Sequence, residues 1–281
     1  MIPYQIEIGS TGVVLGPSTE YRVARTQGLW GRSVDSNDVG RPASHGIFAG
    51  QDFVSSSINI IETNFGGGNG VTDGAATEVL MDTLSGAWAP GVDTYLRLCM
   101  RDGSIRRKYG RTRGFEGDET NMVRGYAEAT CEFIGTDPRT YSDTLSSSSV
   151  AFPELNEGRA YNLTYPKTFG TTGAGGIIDA VNSGNAEVPW TARLNGPLVD
   201  PTIEAVGQGL TLSLVGSIET GEYLDIDSDL RLILLGGTAS RYSWVTATSS
   251  WFGLLPGSNS IKLGGASGTG TLDFNWRSGW W

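Results

Sequence analysis

The sequence predicts a mainly β protein in two domains, with one α-helix in the first half and a sandwich or jelly roll in the second. Three observations carry this. Glycine supplies 41 of the 281 residues, about twice the ordinary share of about 7%, as a protein of many tight turns requires. Period-two alternation recurs along the chain, and in the second half it returns with a turn signal about every ten residues. Only one segment has helical periodicity. Charged residues make up 18% and hydrophobic residues 38%, which excludes intrinsic disorder. The glycines have no period of three, which excludes collagen.

Ile2, Tyr4, Ile6 and Ile8 alternate as a first strand, and Gly9 to Gly16 reads as a turn and short return strand. Tyr21 to Thr26 is a further strand. Gly28 to Gly50 reads as a long loop containing His45, and Phe53 to Glu62 as a strand. After the break at Gly66–Gly70, Asp73 can cap a helix over 73–88, with Ala76, Val79, Leu80, Leu84 and Trp88 on its apolar face. Ala89-Pro90-Gly91 ends it. Tyr95 to Met100 and Ile105 to Thr112 form a hairpin across Arg101-Asp102-Gly103-Ser104, and a strand follows from Met122 to Ile134. The pattern stops at Gly135-Thr136-Asp137-Pro138, and Ser142 to Ser149 holds five serines. The domain boundary is placed there, giving domains 1–140 and 141–281. In the second, Leu210/Leu212/Leu214, Leu230/Leu232/Leu234, Ile261/Leu263 and Leu272/Phe274/Trp276 alternate between Gly- and Asn-rich turns.

The net charge is −10, shared as −4 over residues 1–140 and −6 over 141–281, so neither half is a basic nucleic-acid module. Residues Met1 to Glu7 lack the basic and apolar regions of a secretory signal, and no stretch approaches 18 apolar residues. Neither export nor a membrane partner is expected. Two cysteines, Cys99 and Cys131, are too few for a disulfide framework; two reduced thiols are expected, with a single bridge as the alternative. One histidine excludes a multi-His metal centre.

Asp225-Ile226-Asp227-Ser228-Asp229 is the most suggestive carboxylate run, but Leu230 and Gly236 stand where an EF-hand loop needs Gly and Glu. It reads as a polar turn between Tyr223–Ile226 and Leu230–Leu234. No P-loop ending and no nucleophile elbow occurs. No catalytic, cofactor or metal residue is assigned, and the protein is not expected to be an enzyme. The strongest local feature is basic: Arg97, Arg101, Arg106, Arg107, Lys108, Arg111, Arg113 and Arg124 place eight of the 20 basic residues in 28 positions. This strip is either a solvated hairpin face or a charged seam meeting acidic surface on a neighbouring subunit. Few aromatics interleave with it, so nucleic acid is a minor third reading. Trp244, Trp251, Trp276, Trp280 and Trp281 crowd the last 40 residues as core or interface material, with sugar stacking as the alternative. The C-terminal Arg277-Ser278-Gly279-Trp280-Trp281 is expected to pack on the N-terminal domain or on an adjacent chain.

A longer pattern joins these pieces. Asn185-Ala186-Glu187-Val188-Pro189-Trp190-Thr191-Ala192-Arg193-Leu194-Asn195-Gly196-Pro197 is followed by Val199-Asp200-Pro201-Thr202-Ile203, Gly221-Glu222-Tyr223-Leu224-Asp225-Ile226-Asp227 and Trp251 to Ile261. This succession resembles the C-terminal domain of siphophage distal tail proteins (Dit) and related minor tail proteins. The first half is similar to their N-terminal domain, with the boundary at Asp137-Pro138. The resemblance implies a split-barrel-like N-terminal domain, ring-forming and tail-tube-like, and a galectin-like β-sandwich. It implies a structural virion protein: a homo-hexameric ring at the phage tail tip, made and assembled in the host cytoplasm. The tail tube protein would lie above the ring, the tail hub or tip proteins below, and the tape measure protein in the lumen. No cofactor follows from it. The alternative is a β-sandwich that binds or acts on host surface glycans. The candidate subunit interface comprises Arg97, Arg101, Arg106, Arg107, Lys108, Arg111, Arg113, Trp280 and Trp281. The glycine clusters at Gly66–Gly70 and Gly173–Gly176 are expected to be flexible segments ordered by neighbouring subunits or tail proteins.

Overall fold

Alternating sequence becomes a set of antiparallel ladders in the computed structural model. The structure describes residues 1–66, 74–91, 93–153 and 176–281. The helix cap at Asp73, the glycines at 67–70 and those at 173–175 lie outside the described residues. The chain divides into two units, Met1–Asp143 with Trp280–Trp281, and Thr144–Gly279.

Seven strands of the first unit close into a barrel: β1 (Ile6–Ile8), β2 (Val14–Leu15), β3 (Tyr21–Gln27), β4 (Ile58–Gly66), β5 (Asp93–Cys99), β6 (Ile105–Asp118) and β7 (Tyr126–Gly135). The order is β7-β4-β3-β2-β1-β5-β6, and β6 pairs back to β7. The weakest link is β2–β3, a single parallel pair between Leu15 and Tyr21. Ile6, Ile8, Leu96 and Leu98 point inward as alternation selected, but Ile2 and Tyr4 do not: both are exposed and precede the strand, with Tyr4 in a turn at φ 70°. A bulge between Thr112 and Phe115 lets β6 run on to Asp118; Gly114 interrupts the alternation there, so the sequence showed an end at Thr112. Met122–Arg124 is a single 3-10 turn rather than strand. Gly125 turns the chain at φ 74°, a left-handed conformation suited to glycine, before β7 begins.

Helix α1 (Gly74–Ala87) covers the core with Thr77, Leu80, Met81, Leu84 and Ala87. The expected face was rotated slightly: Val79 points outward at 64% exposure, and Met81 points inward. Two hydrogen bonds fix the helix in place. Tyr21 donates its hydroxyl to the Leu80 carbonyl at 2.9 Å, and the Trp88 indole donates to the Glu132 carbonyl at 2.8 Å.

The expected loop after Gly28 is an arm with two short ladders, Ser33–Asp35 with Phe53–Ser55 and Val39–Gly40 with Ile47–Phe48. Asn37 donates to the Gln51 carbonyl at 3.2 Å, and the Gly50 amide to Asp38 at 2.8 Å, so the ladders are bridged. Every residue from Trp30 to Phe53 is exposed.

The second unit is a sandwich. Its six-stranded sheet runs Ser146–Ala151, Thr271–Trp276, Trp190–Asn195, Tyr223–Asp227, Leu232–Leu235, Ala239–Ser240; its four-stranded sheet runs Ile177–Asn182, Gly257–Gly264, Thr202–Ala205, Leu210–Ser213. A smaller sheet joins Ser217–Ile218, Leu198–Val199 and Ser267–Gly268. Trp190 centres the core, 5.0 Å from Phe274 and 5.1 Å from Phe252 between ring centroids. The Trp276 indole crosses between sheets to the Val181 carbonyl at 2.9 Å. The serine run is thus no linker after Ser146. It is an edge strand, where one solvated face tolerates serine, and Ser149 donates to Asp273 at 2.6 Å. The Asp225–Asp229 run divides between the end of a strand and a turn, where Asp227 accepts from the amides of Asp229 and Leu230 at 2.9 and 3.0 Å.

Candidate functional site

The hairpin β5–β6 places the basic strip as alternation requires, with Arg97 opposite Arg107 and Arg111 opposite Asp93. Two cations facing each other across a ladder repel. Asp143 lies between them: Arg97 donates from Nη2 at 2.7 Å and from Nε at 3.2 Å, and Arg107 donates from Nε. The other side of the Arg97 fork grips Glu7 of β1, with Nη1 2.9 Å from both carboxylate oxygens. The Arg107 guanidinium lies 4.4 Å over the Tyr95 ring. Two arginines and two carboxylates sum to zero charge. Burial works to raise the Asp143 carboxyl, but hydrogen bonds from Arg97 and Arg107 outweigh it and hold it below the usual carboxylate range.

The remaining strip residues separate. Arg111 pairs with Asp93 at the exposed rim. Arg106 lies on the opposite face from Arg107, its guanidinium 3.9 Å over Trp280 and its Nε buried with no partner. Trp280 accepts at its carbonyl from Thr140 at 3.3 Å, and Trp281 is 44% exposed, 6.0 Å from the Arg32 guanidinium. Lys108 is not a surface residue. It is 1% exposed, and it donates to the Leu29 carbonyl at 3.3 Å and to Ser57 Oγ at 3.2 Å. Burial lowers its pKa, opposed by Asp137. Leu29 and Ser57 are the two roots of the arm, so the buried ammonium fastens both. Arg101 and Arg113 are exposed, and neither makes an ion pair among the described residues.

Arg101 stands at the rim of an apolar cleft of about 420 Å³ that includes Tyr4, Ile6, Val23, Leu29, Trp30, Leu98 and Met100. Alternation gave no sign of it, because its walls come from four separated segments. In the sandwich a groove of about 470 Å³ is lined by Arg193, Asp225, Asp227, Asp273 and Asn275. Its polar groups engage one another: Arg193 grips Asp225 at 2.7 and 3.1 Å and lies 4.1 Å over Tyr223, while Asn195 donates to Asp273 at 2.9 Å. Among the described residues no cluster of His, Cys, Asp or Glu could hold a metal ion. Cys99 and Cys131 are free and buried, and burial pushes the Cys131 thiol up to about 12. His45 lies exposed at the tip of the arm. No helix among the described residues is long and apolar enough to cross a membrane.

Residues 183–280 match the family model described as the siphovirus-type tail component, C-terminal domain. The solved structure of the Dit protein of phage SPP1, described as a paradigm of the hub adsorption apparatus in phages that infect Gram-positive hosts, is 13% identical. That match covers 98% of this chain and 98% of that chain, with a TM-score of 0.66. The phage p2 baseplate in its activated conformation with Ca is 12% identical over 99% of this chain and 98% of that chain, TM-score 0.56. The same baseplate with Sr is 12% identical over 97% of each chain, TM-score 0.55. No curated protein sequence matches. At these identities the structures establish the fold. With the family match over the second unit, they support the resemblance to siphophage distal tail proteins.

Proposed function

We propose that this chain, a Dit-like tail component of a long-tailed phage, closes into a homo-hexameric ring that joins the tail tube to the tail tip or baseplate hub. One observation carries the reading. The tail-component domain at 183–280 sits in a chain whose whole length, barrel included, shares the fold of the SPP1 Dit protein. Ring closure also suits the architecture, since heterologous contacts that close leave no open end. The tail tube protein above, hub or tip proteins below and the tape measure protein in the lumen are the partners this position implies. The protein acts as a structural part of the virion, made in the host cytoplasm, and no catalytic role is assigned to it. Of the candidate interface residues, the exposed Arg101 and Arg113 are available to a neighbour, whereas Arg97, Arg107 and Arg111 already hold carboxylates of their own chain.

Light scattering on the purified chain tests the stoichiometry. A ring of six weighs about 180 kDa, six times 29.8 kDa. Particle images should show a sixfold ring at the tail end, labelled by antibody against this chain. A chain that stays monomeric at high concentration, with label elsewhere on the particle, refutes the proposal.

A further inference from the structure

We infer that the arm tip of one copy seats Ile47 and Phe48 in the cleft beside Leu29 and Leu98 of the next copy, making the head-to-tail contact from which the ring closes. The inference rests on the ring reading above and names the surfaces that make it.

The arm exposes large apolar side chains. Trp30, Val34, Val39, Ile47, Phe48 and Phe53 are each 52–64% exposed. They project from both faces of the ribbon, Val39 and Phe48 on one and Ile47 on the other, so a tip entering a cleft meets both of its walls. Summed over both faces they present on the order of 600 Å², against the about 800 Å² that one partner buries in a standard interface. A two-stranded ribbon is also marginally stable alone. Its roots are nevertheless firmly held. Lys108 binds Leu29 and Ser57, and Ser57 Oγ donates to the Gly28 carbonyl at 3.1 Å. An anchored ribbon with an apolar end is presented to something outside itself.

The cleft is the complementary feature. It is apolar, and at about 420 Å³ it has room for the Ile47 and Phe48 side chains. Charge does not select the tip: the arm carries Asp35, Asp38 and Asp52 against Arg32 and Arg41, and the Arg41 guanidinium lies 4.9 Å over the Phe48 ring, so the fit rests on apolar surface. The arm cannot fill its own cleft. Trp30 is both the arm's root and the cleft's wall, and the tip lies roughly ten residues along the ribbon, about 30 Å at 3.3 Å per residue. Folding back would break both ladders and their bridges. Each copy therefore offers one tip and one cleft that fit only between copies, which is a heterologous contact.

The test uses the full chain in a Cys99→Ser background. Ala49→Cys, which leaves Ile47 and Phe48 in place, and Thr26→Cys are made separately, mixed and mildly oxidised; both positions are exposed, and Thr26 lies on the cleft wall. The expected result is a disulfide joining the two variants, seen on a non-reducing gel and mapped by mass spectrometry. In parallel, Ile47→Ser with Phe48→Ser should raise the concentration for half-assembly at least tenfold while the melting temperature of the dilute, unassembled chain stays unchanged. Rings that form with wild-type concentration dependence in the double variant, or that give no crosslink, overturn this inference and leave the ring reading standing. A wild-type chain that never assembles overturns both.

Discussion

Asp143 is the single carboxylate that holds Arg97 and Arg107 opposite one another, so Asp143→Ala removes two ion pairs at once. A fully exposed pair contributes about 0–1 kcal/mol, and a buried charge-assisted hydrogen bond about 1.5–3 kcal/mol. These side chains sit between the limits, 19% exposed for Asp143, 26% for Arg97 and 21% for Arg107. About 1 kcal/mol per arginine is reasonable, and the facing cations then repel by a few tenths more. The expected loss is about 2–3 kcal/mol, or about 5–10 °C in the melting temperature of a unit of this size. Differential scanning calorimetry on the full chain reads it, with the transition of Thr144–Gly279 as internal reference. The acid limb supplies a second reading. The folded-state pKa of Asp143 is depressed, so its stabilisation is full at neutral pH. It is lost as pH falls below the ordinary value of about 3.9 and through the folded pKa. The variant should show a shallower acid limb. A shift under about 1 °C, with an unchanged acid limb, would refute the reasoning.

Leu84→Ala, at 0% exposure in the helix face, should cost about 2–5 kcal/mol, whereas Val79→Ala should fall within about 0.5 kcal/mol; equal effects by urea unfolding would reject the register of α1. Trp280→Ala removes the stack on Arg106 and should destabilise the first unit by about 1–2 kcal/mol, against less than about 0.5 kcal/mol for Trp281→Ala. Cys131, buried with its thiol pushed up to about 12, should resist thiolate-dependent labelling near pH 8 until denaturant is added; rapid labelling of the native chain would contradict its place in the core. If the apolar tip and cleft dominate assembly, half-assembly should move less than threefold between low and high salt. A charged seam would weaken steeply under the same change.

Alternation revealed much of the barrel. Ile6 with Ile8 and Leu96 with Leu98 point inward as the period of two demands, and the same parity set Arg107 and Arg111 on the outer face. That parity also directs Lys108 inward. It reads as solvated from sequence because the groups that satisfy its ammonium, the Leu29 carbonyl and Ser57, come from far along the chain. Asp143 was hidden for the same reason, since nothing local marks it as the partner of Arg97. Composition misled at Ser146–Ala151, where pairing with Thr271–Trp276 decides the strand and propensity does not. It misled again after Gly28, where Gly, Asp, Ser and Asn disguised an apolar ribbon as a loop.

The same contrast bears on how copies of this chain meet. The basic strip suggested an electrostatic seam because eight cations fall close together in sequence. In the fold, Arg97 and Arg107 share Asp143, Arg111 takes Asp93, and Lys108 is buried. A neighbour that recruited Arg97 or Arg107 would first have to break an ion pair inside the chain, so little free energy is left for contact between copies. The apolar arm is in the opposite condition. Its six large side chains hold no ion pair that must break first, and each gains in proportion to the area covered, with Arg41 over Phe48 as the one charge that must stay at the rim. Charge therefore fixes the hairpin that carries the cleft rim, and Lys108 fixes the roots of the arm. Apolar surface, held in place by both, is what the proposed contact between copies would draw on.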